Sequence, residues 1–395
     1  MKILCLATEF PPAHGYGLAR YISEHCNALA QTGAQVHVAC NNWDGENGTY
    51  QDDGVQVNNA PFFIPFEGYT WVADALQRNV QLLGRGIEMT RRNGGYDILH
   101  AHDWLAAGAA KALKATYGMP LVVSMHDTEI GKNSGQLDET QHYISQMERW
   151  MCDQAERVLV NSRFIARELV EAYGVPADKL DVVGCGVNPQ AFETDAEVAP
   201  FKSLFCGPGE RLVAFVGRLA GVKGPHVLLE AMPTVLSVCP GTRFVFAGDG
   251  AMQQGLEHRA QELKLDDRVR FLGHIRGKVL ATFYHAADIV VVPSLYEPLG
   301  MVALEAMVCG RPVIASDTGG LREVVVPGAT GVTVPPNDSR ELASAIVRLL
   351  LNPQAAQMLG AQGRQRALTD FRWDAVAQRT QASYALALGA LGGRA

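Results

Sequence analysis

The chain has 395 residues, of which 48% are apolar, and carries a formal net charge of −7. Such a length suits two domains better than one core, and no run reaches the ~20 uncharged apolar residues of a membrane helix. Residues 1–195 hold 14 Lys and Arg against 24 Asp and Glu, and the rest hold 20 against 17, so the acidic first half argues against docking to nucleic acid or anionic lipid.

Taken in chain order, apolar runs at 2–7, 34–40, 97–100, 121–125 and 157–160 read as buried strands. Glu9 ends the first run too soon for a signal peptide. Amphipathic stretches at 18–31, 106–117 and 163–173 separate the strands. The pattern restarts at 211–216 and continues through 243–247, 269–272, 289–292 and 312–315. Alternation of this kind predicts an α/β chain of parallel sheets covered by helices. The stretch 184–208 holds three prolines without a steady period and reads as a linker. Domains are therefore expected at 1–195 and 196–372, with a last helix, 373–391, crossing back to complete the first through 373–395. The eight cysteines show no CxxC and no zinc spacing, which suits reduced core thiols in a cytoplasmic protein.

Four places carry chemistry. The first, Gly217-Arg218 with Lys223-Gly224, follows a strand directly, where doubly wound sheets bind ligands. Arg offers a planar fork to phosphate oxygens and Lys a mobile point charge, although a solvated basic loop would read the same in isolation. The second is the turn Glu297-Pro298-Leu299-Gly300 and the helix beyond it. Pro298 and Gly300 set the turn, the helix start offers free N–H groups to a phosphate or a sugar hydroxyl, and Glu305 can accept both hydroxyls of a ribose. Either glutamate alone would pass as a surface residue; together, at a sheet end, they read as ligands.

The third place is the glycine loop around Gly15 and Gly17. Arg20 stands where a dinucleotide fingerprint needs its third glycine, and the loop begins too far from its strand. A longer loop that approaches phosphate or sugar remains, beside a plain β–α connection. The fourth is a polar set at first-domain strand ends: His100, His102, Asp103, Trp104, His126 and Asp127. No Glu/His pairing at helical spacing supports zinc there, so no metal ligand is expected. His126 and Asp127 read as hydrogen-bonding groups facing a cleft, and His100 equally as a packing residue. The aromatic stretch from Phe62 to Trp71 suits acceptor stacking or core packing.

With these motifs in hand, the chain resembles the retaining glycosyltransferases of family 4, and within them the bacterial glycogen synthases. The pair Glu297 and Glu305 is similar to that family's paired-glutamate motif, Arg218 with Lys223 to its diphosphate grip, 315–323 to the segment that follows, and 100–104 with the Pro-Pro glycine loop to glycogen synthases. The resemblance implies a GT-B fold, two Rossmann-like domains facing across a cleft. It implies that Glu305 holds the ribose, Arg218 and Lys223 the diphosphate, Glu297 the donor sugar, and His274 and Ile275 the base. His126 would line the reaction centre, with Asp127, Trp71 and Trp104 on the acceptor side. The expected reaction moves a hexosyl unit from a UDP-, ADP- or GDP-linked sugar to a hydroxyl of a soluble acceptor, without a metal cofactor; no Asp-x-Asp occurs. A nucleotide-sugar epimerase and a non-catalytic nucleotide-sugar-binding protein remain alternatives.

Overall fold

The structure is a computed structural model that describes residues 1–11, 17–41, 48–60 and 71–392, without the side chains of Trp71, Val72, Leu391 and Gly392. It divides into one unit made of Met1–Gly186 with Trp373–Ala395 and a second made of Val187–Arg372.

The first unit is built on eight strands: β1 (Lys2–Ala7), β2 (Gln35–Cys40), β3 (Gly48–Asp52), β4 (Val55–Asn59), β5 (Ile98–His102), β6 (Leu121–Met125), β7 (Arg157–Val160) and β8 (Leu180–Val182). Their order is β3-β4-β2-β1-β5-β6-β7-β8, and every pair is parallel except β3 with β4. β1, β5 and β6 are buried almost throughout, as strands covered on both faces must be. That burial explains why β1 and β6 read as nearly unbroken apolar runs. The last helix, Trp373–Gly392, packs on the helix Gly17–Gln31 and on β7. Its Arg379 donates to the Val183 carbonyl at 2.8 Å.

The second unit carries β9 (Arg211–Val216), β10 (Thr242–Ala247), β11 (Val269–Phe271), β12 (Ile289–Val292), β13 (Val313–Ser316) and β14 (Val332–Val334), in the order β11-β10-β9-β12-β13-β14 and all parallel. Phe215, Phe244 and Phe246 meet Leu228, Leu229, Leu342 and Ile346 in its core. Each such side chain contributes roughly 1.5–3 kcal/mol by leaving water.

The boundary expected at 195/196 lies at 186/187 instead. The reason is Phe192: it is buried, its ring meets Tyr284 edge-on at 5.8 Å, and its carbonyl faces His285 Nε2 at 3.0 Å. Those contacts fasten residues 189–192 to the second unit, so a segment without sequence periodicity is still part of a core.

Candidate functional site

β9 lies between β10 and β12, and its connection runs to β10 while that of β12 runs to β13. The chain therefore leaves β9 and β12 in opposite directions, which opens a crevice beyond their carboxyl ends. The loop after β9 carries Arg218 and Lys223, and the loop after β12 carries Glu297.

The two loops are fastened to each other. Leu295 N–H donates to the Val222 carbonyl at 2.8 Å and Tyr296 N–H to the same oxygen at 3.3 Å. Lys223 Nζ then stands 3.0 Å from Glu297 Oε1 and 2.9 Å from Oε2, and Ser294 Oγ donates to Oε2 at 3.0 Å. Glu297 is 8% exposed, so its charge is compensated by a charge-assisted pair with a hydroxyl beside it. Arg218 is exposed and forms no ion pair among the described residues.

Glycines permit this closeness at two points. Gly224, at φ +64°, would place a Cβ 2.0 Å from the Pro293 carbonyl oxygen. Gly319, at φ +52°, would place one 2.1 Å from the Glu297 carbonyl oxygen. Next to it, Gly320 N–H donates to that Glu297 oxygen at 2.8 Å, and Thr318 Oγ1 donates to the Leu295 carbonyl at 3.2 Å. The segment 315–323 thus acts as a backbone brace for the glutamate turn.

Pro298, Leu299 and Gly300 lead into the helix Met301–Val308, capped by Gly300 at φ +107°. The N–H groups of Leu299, Gly300 and Met301 meet no acceptor among the described residues, which leaves the positive end of the helix open to an anion. Glu305, also 8% exposed, accepts a hydrogen bond from the buried Tyr284 hydroxyl at 2.7 Å. Gly217 sits at the end of β9, and its N–H donates to the Ala247 carbonyl at 3.0 Å. His274 is exposed and Ile275 half-buried, in the loop after β11.

In the first unit, His126 follows β6. Its Nε2 lies 3.0 Å from His102 Nδ1, its ring stacks on His102, and Tyr21 meets it edge-on at 4.7 Å. Burial pushes His126 down to about 4, so it is neutral near pH 7. The backbone N–H of His126 donates to Asp103 Oδ1 at 3.1 Å. Asp103 holds φ +56°, and burial, with Asp127 nearby, pushes its carboxyl well above the usual range. Asp127 pairs with Lys132 at 2.9 Å. Trp104 is half-buried in a short turn of helix. Gly17 opens its helix, whereas Gly15 and the side chain of Trp71 lie outside the described residues.

Residues 201–366 match the family of glycosyl transferases group 1, and residues 16–191 match Glycosyltransferase Family 4. The glycogen synthase of Mycobacterium tuberculosis (strain CDC 1551 / Oshkosh) is 32% identical, over 97% of this chain and 94% of that protein. The chain belongs to the family-4 glycosyltransferases. Within the family it is glycogen-synthase-like. The D-inositol 3-phosphate glycosyltransferase of Thermobispora bispora is 35% identical to this transferase, over 75% of this chain and 72% of that protein. The sucrose-phosphate synthase of Thermosynechococcus elongatus has a similar structure, with a TM-score of 0.83 at 27% identity, covering 98% of this chain and 99% of that one. The fold of the transferase is GT-B.

Two residues of this glycosyltransferase's candidate site escaped the sequence reading. Ser294 stood inside the glutamate motif without a role, and Tyr284 lay one helix upstream. Each hydroxyl orients one of the two glutamates. Ser294, three residues before Glu297 in a tight turn, carried a local signal; Tyr284 carried none, because only the packing of two helices brings it to Glu305. Among the described residues no helix is long and apolar enough to cross a membrane.

Proposed function

We propose that this glycosyltransferase takes a nucleoside-diphosphate hexose as donor and transfers the hexose, with retention, to a hydroxyl of a soluble acceptor. The observation that carries the reading is the Lys223–Glu297–Ser294 constellation at the sheet's switch point. An ammonium has three donors, so Lys223 can hold Glu297 and still turn an N–H to a phosphate oxygen. Arg218 and the free N–H groups before Met301 add positive potential for the remaining diphosphate charge. Glu305, oriented by Tyr284, suits the two ribose hydroxyls. Glu297 would accept from a hydroxyl of the hexose, and the loop at His274 and Ile275 would meet the base. In the first unit, the neutral His126 would hydrogen-bond the transferred sugar, with Asp127, Trp104 and Trp71 serving the acceptor.

The step breaks the bond between the anomeric carbon and a phosphate oxygen, and its electron pair leaves with the diphosphate. The acceptor oxygen bonds to the same face of that carbon, and its proton passes to the departing phosphate oxygen. Charge grows on the diphosphate as the sugar becomes oxocarbenium-like. Lys223 and Arg218 stabilise that growth most in the transition state, the role a metal plays elsewhere, so no divalent cofactor is needed. A cytoplasmic setting, where nucleotide-sugars are made, suits this chemistry.

The decisive experiment is a thermal-shift panel of UDP, ADP, GDP and TDP with their sugars. One nucleotide series should raise the melting temperature, and its hexose conjugate should then be consumed only when an acceptor is present. No shift with any nucleotide would remove the reading; turnover without acceptor would favour an epimerase. Proton NMR of the product's anomeric signal tests retention.

A further inference from the structure

Beneath the helix Gly17–Gln31 the first sheet buries soft ligand atoms in a group separate from the donor site. Cys5 on β1 and His100 on β5 are direct partners in the parallel register, and His102 lies two residues on, on the same face. One ligand atom from each of Cys5, His100 and His102 lies within 4.8 Å of the others, and all three side chains are 0–1% exposed. Among the described residues, His102 Nε2 is buried with no hydrogen-bond partner.

We propose that Cys5, His100 and His102 form a binding site for a single soft monovalent cation, Cu+, held by one thiolate and two imidazoles. A buried imidazole nitrogen left unpaired costs about 1–3 kcal/mol, so Nε2 of His102 calls for an occupant. A water molecule needs two to four polar partners. Here it would find one good one, because His100 already uses Nε2 on Ser124 Oγ at 2.8 Å and Nδ1 on the Tyr384 hydroxyl at 2.7 Å, and a thiol bonds weakly.

A metal finds more. Thiolate with imidazole selects soft ions. The outer contacts of a metal site are also in place. His102 Nδ1 faces His126 Nε2 at 3.0 Å, Cys26 Sγ–H donates toward Cys5 Sγ at 3.8 Å, and His100 keeps one hydroxyl after giving up the other. Charge decides the ion. One thiolate and Cu+ sum to zero in a core where a net charge is costly, whereas Zn2+ would leave +1. Bound there, the ion would fix the tautomer of His102 and with it the proton that His102 gives to His126.

The test is anaerobic titration of the full chain with Cu+ against the chelator bicinchoninate, repeated with Zn2+, and X-ray absorption on the loaded wild type. We expect one Cu+ per chain with one sulfur and two nitrogen neighbours. Cys5→Ser and His102→Gln should each weaken retention at least tenfold, while Cys40→Ser, a buried thiol on the neighbouring strand, keeps it. Should either site variant fail to fold, the absorption spectrum of the wild type decides alone. No retained Cu+, a shell without sulfur, equal retention in Cys5→Ser, or Zn2+ displacing Cu+ from these residues would each overturn the proposal.

Discussion

Both units deliver polar side chains to the carboxyl ends of parallel strands, but the first does so with neutral imidazoles and the second with compensated ions. In the first, His25, His100, His102 and His126 lie ring against ring, and burial holds all four below the ordinary histidine range. In the second, Lys223 and Glu297 neutralise each other and Arg218 stands exposed. A neutral cluster can direct hydrogen bonds without attracting charge. A paired cation beside an open helix end is poised for an anionic ligand. Under the proposed function the leaving group falls to the second unit, and substitutions there should cost catalysis most.

The largest effect is expected from Lys223→Ala. If Lys223 stabilises developing diphosphate charge as proposed, its loss should lower kcat roughly 100- to 1000-fold at saturating donor. Steady-state kinetics with donor varied to saturation checks this, and near-normal turnover would remove Lys223 from the leaving-group role. Lys223→Ala also strips Glu297 of its counter-charge, so Ser294→Ala serves as a control that disturbs the same carboxylate and keeps the cation. Its loss should be far smaller.

Next comes Gly319→Ala. Its Cβ would fall 2.1 Å from the Glu297 carbonyl oxygen, in a backbone region that alanine also disfavours. A destabilisation of about 2–4 kcal/mol is expected, read as a lower denaturant midpoint, with donor affinity falling as the turn moves. An unchanged midpoint would mean that the brace from 315–323 is not rigid.

Acid separates the units more gently. A histidine whose folded-state pKa is lowered binds its proton more readily when unfolded, so stability rises with pH between the folded and unfolded values. For His126 at about 4 and His25 at about 3, stability should be full above about pH 6.5 and drain away as pH falls toward 4. Glu148, raised to about 7 by burial, and Asp103 work in the opposite sense, but four imidazoles outnumber two carboxyls. Melting temperatures from pH 7 to pH 4.5 should fall, and His25→Gln should flatten the decline. A parallel decline in His25→Gln would place the acid sensitivity elsewhere.

How much of this the sequence made legible differs between the units for the same physical reason. Strands buried on both faces are largely apolar runs, so β1, β6, β9, β10, β12 and β13 could be read, while the strand expected at 269–272 is the short edge strand β11 with Arg270 exposed. β3 is a polar, largely exposed edge strand paired antiparallel with β4, which is mostly buried but mixes valines with Gln56, Asn58 and Asn59. Their one signal is the turn Asp53-Gly54, both at positive φ, a hairpin turn pair. β8 and β14 are three residues each, too short to show a period. The glutamates and cations stood in local motifs that turn chemistry marks. Tyr284, and the meeting of Cys5 with His100, depend on packing and strand order, which no spacing along the chain records.

The finest test of the second unit's arrangement is Tyr284→Phe. The Tyr284 hydroxyl donates to Glu305 Oε2 at 2.7 Å, and the ring is fully buried, so the substitution removes one oxygen and leaves the packing intact. Glu305 would lose one orienting donor, worth roughly 1.5–3 kcal/mol at a charged acceptor, with part returned as the carboxylate turns to other donors. If Glu305 holds the ribose, donor KM should rise about 5- to 10-fold, while kcat at saturation stays nearly constant, because the ribose is gripped equally in ground and transition states. A fall in kcat with KM unchanged would move Glu305 from holding the donor to stabilising the reacting centre, and would bring the two glutamates back into one role.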